Sequence, residues 1–305
     1  MIEKYYNGVI EQVAGGIGNV EHNSILVRYS NDFSIWDLES VNHYKDQTDI
    51  FFTCHEFSYN KIAEAYEPYL GLIRQMFHKY CSGTLEEFME ECDVYKLQRP
   101  VFESYFEKGF CERTEQILID EVEYEQERMR NSIVTMLQKL SEIRPVVIVL
   151  NRFQLASKST MQLSNSLLQV KNKNIGIVLG VNDVQSIPEF AHEEWDAICE
   201  SMDDRNMVYH IGNAGRNMEP DVMDYYSDYE SDDGYRKLNN LVYFLDFDQA
   251  DHHLSKIERR IKFDNFTISE KKHYQLLLLQ IMVSVLQRDI AKALESCEDL
   301  EKLQD

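Results

Sequence analysis

The residues able to do chemistry are few and lie apart. Gly15-Gly16-Ile17-Gly18 has the glycine content of a phosphate-binding turn. A dinucleotide fingerprint needs a strand before it and a helix opening after it. Here an amphipathic helix over residues 1–14 (Ile2, Tyr5, Tyr6, Val9, Ile10, Val13) precedes and a strand follows, so the cluster reads as a turn. Cys54-His55-Glu56 offers a thiol, a base and a carboxylate, but neighbours along a strand point to opposite faces, which takes His55 away from Cys54. His252-His253 with Asp248 and Asp251 has the residue types of a metal site. Adjacent helical residues diverge by about 100°, so these read as surface polar residues. The Tyr/Asp-rich stretch 212–235 could hold Ca²⁺ or a basic partner, yet it lacks the spacing and central glycine of an EF-hand loop. Arg152 and Asn182-Asp183 fall at the ends of apolar runs, where open α/β sheets bind ligands.

Those ends belong to the elements that organise the chain. Val146–Leu150 and Ile175–Val181 are short β-branched runs, separated by about one helix with Met161, Leu163, Leu167 and Leu168 near helical spacing. Continuous apolar runs of this length predict strands buried on both faces, and the spacing predicts a parallel βαβ unit. Ahead of it come a strand at Ser24–Tyr29, a loop from Ser30, a helical stretch from Ser34 to His43 and a strand at Asp49–Cys54. Residues 56–141 read as helical insertions: Tyr59–Tyr80, with Pro68 starting a second helix, then Leu85–Cys92, Val101–Phe106 and a charged helix from Cys111 to Leu140. A helix over Ile187–Ser201 and a strand at Met207–Ile211 follow.

Residues 212–235 change character, with seven acidic residues between Glu219 and Asp233 and four tyrosines, and read as a mobile loop or linker. From Arg236 the chain is helical. An echo between Asp246-Phe247-Asp248-Gln249-Ala250 and Asp289-Ile290-Ala291-Lys292-Ala293, 43 residues apart, predicts two helical hairpins of repeat type. The expected fold class is therefore α/β, a three-layer parallel sheet over 1–211 with long helical insertions. The linker over 212–235 and an all-α hairpin segment over 236–305 follow it.

With 53 acidic against 31 basic side chains and a formal charge of −22, the chain lacks the basic stripe of a nucleic-acid surface. The same charge opposes docking on an anionic membrane. No apolar run reaches membrane-spanning length, and MIEKYYNGVIEQV lacks a signal-peptide layout. Six scattered cysteines without a C-x-x-C pair read as free thiols, and a cytoplasmic location is expected.

The order of elements resembles the STAND class of AAA+ signal-transduction ATPases, in the branch with tetratricopeptide-like repeats behind a P-loop NTPase module. Phe51–Phe77 fits the family's strand leading into a Tyr-x-Pro-rich helix. Val146–Ser157 and Ile175–Asp183 take the places of its Walker B and sensor strands. The likeness covers residues 20–211 and 236–305, and it implies a nucleotide site at Ser30, Asn31, Asp32, Phe33, Ser34, Asn151, Arg152 and Asn182.

The motifs depart from that pattern. A phosphate cradle needs glycines, a lysine for the phosphates and a Ser/Thr for Mg²⁺. SNDFSIWD (Ser30–Asp37) has neither glycine nor lysine, no G-K-[ST] occurs anywhere, and Phe33 and Trp36 are expected to fill the space. Asn151-Arg152 stands where an acidic residue would hold the metal. The resemblance then implies a pseudo-ATPase without catalytic residues, cofactor or metal. Such a chain would be a regulatory N-terminal module of a larger bacterial protein that binds protein partners or its own further C-terminal domains. The alternative expectation is an ATP-binding switch with an atypical loop.

Overall fold

The computed structural model describes residues 2–18, 24–30, 34–45, 47, 49–58, 61–111, 122–170, 172–183, 187, 191–203, 207–211, 229, 231–264 and 266–303. By contact the chain divides into two compact units. The first holds residues 1–59, 66–94 and 131–223, and the second holds 60–65, 95–130 and 224–305.

The first unit is an α/β sandwich on five parallel strands: β1 (Ser24–Tyr29), β2 (Phe51–Glu56), β3 (Val146–Asn151), β4 (Ile175–Asn182) and β5 (Val208–Ile211). Their order across the sheet is β2-β3-β4-β1-β5. β3 and β4 are buried at every residue, as their continuous apolar runs predict. Helix α1 (Ile2–Gly16) and helix α2 (Glu39–Lys45) cover one face, through Tyr6, Val9, Ile10, Val13 and Val41 against Val27, Tyr29, Val147, Val149 and Val178. Side chains alternate along a strand, so Ile148, Leu150, Ile177 and Leu179 point to the opposite face, where they too are fully buried. The chain runs one way across the sheet from β1 to β2 and the other way from β2 through β4. Right-handed crossovers then place α2 and α7 (Lys158–Gln169) on opposite faces. Helix α3 (Tyr69–Tyr80) meets α7 through a 2.8 Å hydrogen bond between the Tyr69 and Ser164 hydroxyls. α7 in turn contacts α8 (His192–Asp203). The unit also contains α4 (Leu85–Glu91) and residues 131–143 of α6 (Val122–Ile143).

The second unit holds α5 (Arg99–Lys108), the start of α6, and two consecutive hairpins. The first hairpin is α9 (Asp232–Tyr243) with α10 (Phe247–Phe263), and the second is α11 (Glu270–Leu286) with α12 (Ile290–Lys302). Asp246 and Asp289, the two echoed aspartates, stand at the N-caps of α10 and α12. Asn240 binds the Cys111 amide at 2.8 Å and the Glu64 carboxylate at 2.9 Å, and Gln249 binds the Ala63 carbonyl at 3.1 Å. Those bonds account for the place of residues 60–65 in this unit.

Several boundaries differ from expectation. Pro68 does open a helix as expected, with α3 starting at Tyr69, but the described residues 61–67 ahead of it are not helical, and Tyr66 lies at φ 56° in the left-handed region. Ser34–His43 breaks at Leu38, whose extended backbone separates a 3₁₀ turn (Ile35–Asp37) from α2. The strand expected at Asp49–Cys54 is shifted to Phe51–Glu56. Cys111 and Ile187 are not helical. Of the expected linker, 212–228 and 230 lie outside the described residues; Tyr229 is buried and α9 already starts at Asp232.

Candidate functional site

In an open α/β sheet, ligands bind at the carboxyl ends of the strands, where connections from adjacent strands leave toward opposite faces. Here that place lies between β1 and β4: β1 leads into α2, and β4 leads to α8, which contacts α7 on the other side. The register aligns Tyr29 with Asn182 and Glu56 with Asn151. Period two places Glu56, Asn151, Gly180, Asn182 and Tyr29 all on the face covered by α1.

These side chains bond to one another across that face. Strands lie about 4.8 Å apart, so β1 and β3 are separated by the whole width of β4. The Tyr29 hydroxyl nevertheless donates to Asn151 Oδ1 at 2.7 Å. Gly180 of β4 leaves the room for this. A Cβ there would overlap the Tyr6 hydroxyl and come 2.7 Å from Asn151 Oδ1. Glycine inside a strand marks such a close approach. Tyr6 arrives from α1, stands edge-on to the Tyr29 ring with centroids 6.5 Å apart, and is fully buried. Burial, then the nearby Tyr29 and Glu56, holds its hydroxyl well above the usual tyrosine range and therefore protonated.

The network continues to β2. Asn151 Nδ2 donates to Glu56 Oε1 at 3.4 Å, Arg152 Nη1 lies 3.4 Å from the same oxygen, and Ser34 Oγ donates to Glu56 Oε2 at 3.3 Å. Ser34 also caps the 3₁₀ turn by accepting from the Trp36 amide at 3.3 Å. Arg152 takes φ 52° as it leaves β3, and Gln154 Oε1 accepts from the Asn182 amide at 3.3 Å.

Of the residues expected at this place, Ser34, Asn151 and Arg152 thus converge on a single carboxylate, Glu56. Asn182 lies beside Tyr29, and Ser30 follows Tyr29 at the strand end. Asn31, Asp32 and Phe33 lie outside the described residues. Trp36 does not fill the cleft as expected: it is 47 % exposed, with the Lys45 ammonium 4.4 Å from its ring centre. Among the described residues, the side chains gathered on this face are those of Tyr29, Tyr6, Asn151 and Glu56. Asp183 turns aside to Arg28, at 2.7 Å.

The other candidates resolve individually. Burial pushes the Cys54 thiol up to about 11, against the pull of Lys45, so it is not a thiolate at neutral pH. His55 faces away from Cys54, 3.5 Å from Glu67. His253 is not a surface residue: it is buried in the second unit with Nδ1 3.0 Å from the Tyr229 hydroxyl. Asp251 instead bonds Lys292 and Gln280, and Asp248 bonds Gln287. Glu258, Glu295 and Asp299 lie close enough to share a cation. They surround the Lys262 ammonium at 2.7, 3.2 and 2.9 Å, which occupies the position a metal would take.

Burial, and then His252 and Lys256, pushes His253 down to about 3. The unfolded chain takes up this proton near pH 6.5 and the folded chain only near pH 3, so stability falls as pH falls through that window. We expect urea unfolding at pH 5 to show about 2 kcal/mol less stability from this group than at neutral pH. His253→Gln removes that component; equal pH slopes for the two proteins would contradict it.

No family model, curated protein or solved structure matches this chain.

Proposed function

We propose that the chain is a catalytically inactive relative of P-loop NTPases, similar to the STAND class of AAA+ proteins, that works as a signalling or scaffold module through protein–protein contact. The reading rests on the bonded set Tyr29–Asn151–Glu56–Arg152 at the carboxyl end of the sheet, where a nucleotide's phosphates would have to lie. A triphosphate entering there meets the Glu56 carboxylate and a hydroxyl already bonded across β4. The metal's position is taken by Asn151, a neutral amide whose oxygen is engaged by Tyr29. Phosphoryl transfer consists of positioning and charge stabilisation, and both are missing among these groups.

Protein contact is favoured by the surface chemistry. The −22 charge disfavours nucleic acid, and no described helix is long and apolar enough to cross a membrane. α12 turns Ile290 and Leu294, one helical turn apart, to solvent at 59 % and 61 % exposure. The hairpins α9–α10 and α11–α12 are similar in layout to tetratricopeptide-like repeats, which present extended surfaces to partners. The test is phosphate release from Mg·ATP by the purified chain: turnover stays at the buffer rate. Turnover that Asn151→Leu abolishes would overturn the reading and favour a nucleotide switch.

A further inference from the structure

At the opposite end of β2 from Glu56 lies a groove of about 570 Å³ whose lining includes Lys45, Arg74, His78, Lys79, Phe51 and Tyr80. Among the described residues none that lines it is acidic, in a chain with 53 acidic and 31 basic side chains. β2 is an edge strand, and each of its residues is half-buried while those of β3 are fully buried. Among the described residues no strand pairs with its outer side.

The groove straddles this edge. Phe52 lies on the face covered by α2 and stacks on Tyr44 at 5.7 Å, while Lys45 and Gln47 form the rim beyond it. Phe51 points to the other face and meets Tyr80 of α3 edge-on at 6.1 Å. There Lys79 lies 5.9 Å from the Phe51 ring centre and 5.3 Å from that of Tyr80. The amides of Phe51 and Phe57 donate to the carbonyls of Pro145 and Asn151. Alternation along the strand therefore turns the N–H and C=O of Phe52 and Cys54 away from β3, toward the open edge.

We infer that β2 is a docking edge for an extended acidic segment of a partner protein, which adds as a strand beside Phe52 and Cys54. Its carboxylates would meet Lys45 on one face and Arg74 and Lys79 on the other. Main-chain bonds to an open edge give affinity in this mode, and alternate side chains give specificity. An exposed edge without such a use is an aggregation hazard. The alternating fit, with a cation and an aromatic on each face, favours a peptide over a compact anion. A nucleotide at the carboxyl end of the sheet would not bear on this site, so failure here is separable from failure of the pseudo-ATPase reading.

The test uses the full chain and a short fluorescein-labelled peptide of alternating Glu and Val, followed by anisotropy and by amide exchange. We expect saturable binding that weakens with salt and falls about tenfold in Arg74→Glu/Lys79→Glu. Lys79 is exposed on α3 and Arg74 half-buried, and an unchanged thermal midpoint verifies the fold. Exchange of the Phe52 and Cys54 amides slows when peptide is added. No binding, binding that the double variant leaves intact, or binding without protection of those amides overturns the proposal. Stronger competition by inorganic tripolyphosphate or a single-stranded oligonucleotide than by unlabelled peptide does so as well.

Discussion

Replacing Gly180 with Val lowers stability by about 3 kcal/mol, measured by urea unfolding, because the new side chain enters a space already occupied from two sides. A Cβ at this position overlaps the Tyr6 hydroxyl and lies 2.7 Å from Asn151 Oδ1. α1 cannot yield easily, since Tyr6, Val9, Ile10 and Val13 are all buried against the same face. Asn151 cannot turn away without giving up Tyr29 and Glu56 together. The diagnostic is coupling. Gly180→Ala and Tyr6→Phe are each destabilising, yet the double variant loses at least about 1 kcal/mol less than their sum, because the second change removes the atom that the first one strikes. Strict additivity would mean that Tyr6 does not fill the space above Gly180.

Asn151→Asp produces the second large effect, and its sign with pH is unusual. The new carboxylate still accepts from Tyr29, but the donor facing Glu56 is gone and two carboxylates stand about 3.4 Å apart. Like charges so placed raise the pKa of one of them. A carboxyl whose folded pKa is raised destabilises the fold above that pKa and stops doing so below it. Arg152, 3.4 Å from Glu56, offsets part of the repulsion. We expect a loss of about 2 kcal/mol at neutral pH, which shrinks as pH falls through the raised pKa and is largely recovered only near pH 4, close to the unfolded value. An acidic side chain at the end of β3 would not restore turnover, because neither a phosphate lysine nor a glycine-rich loop accompanies it. A variant as stable as wild type at pH 7 would mean that Glu56 does not face Asn151.

How much of this was legible in the sequence follows from the range of each signal. β3 and β4 were readable because continuous β-branched runs are a local property of strands buried on both faces. The echo at Asp246 and Asp289 was readable for the same reason, as a repeated N-cap neighbourhood. The site was legible only in outline. Arg152 stood at the end of an apolar run, while Ser34 and Asn151 entered through the places that the family resemblance implies. Glu56 stood out only as a neighbour of Cys54 and His55, because its place beside Asn151 arises only when β2 pairs with β3 in the register that aligns them. Gly180 and Tyr6 were hidden further. A glycine in an apolar run and a tyrosine on an amphipathic helix both have ordinary local explanations, and only the strand order places one above the other. Trp36 misled for the converse reason: size and position suggested a plug, but the break at Leu38 leaves it at the surface beside Lys45.

The central claim is that the carboxyl end of this sheet is closed to nucleotide by its own side chains. Isothermal titration of Mg·ATP into the purified chain tests it most directly. The account predicts heats equal to dilution up to millimolar nucleotide; saturable binding with a micromolar Kd would contradict it.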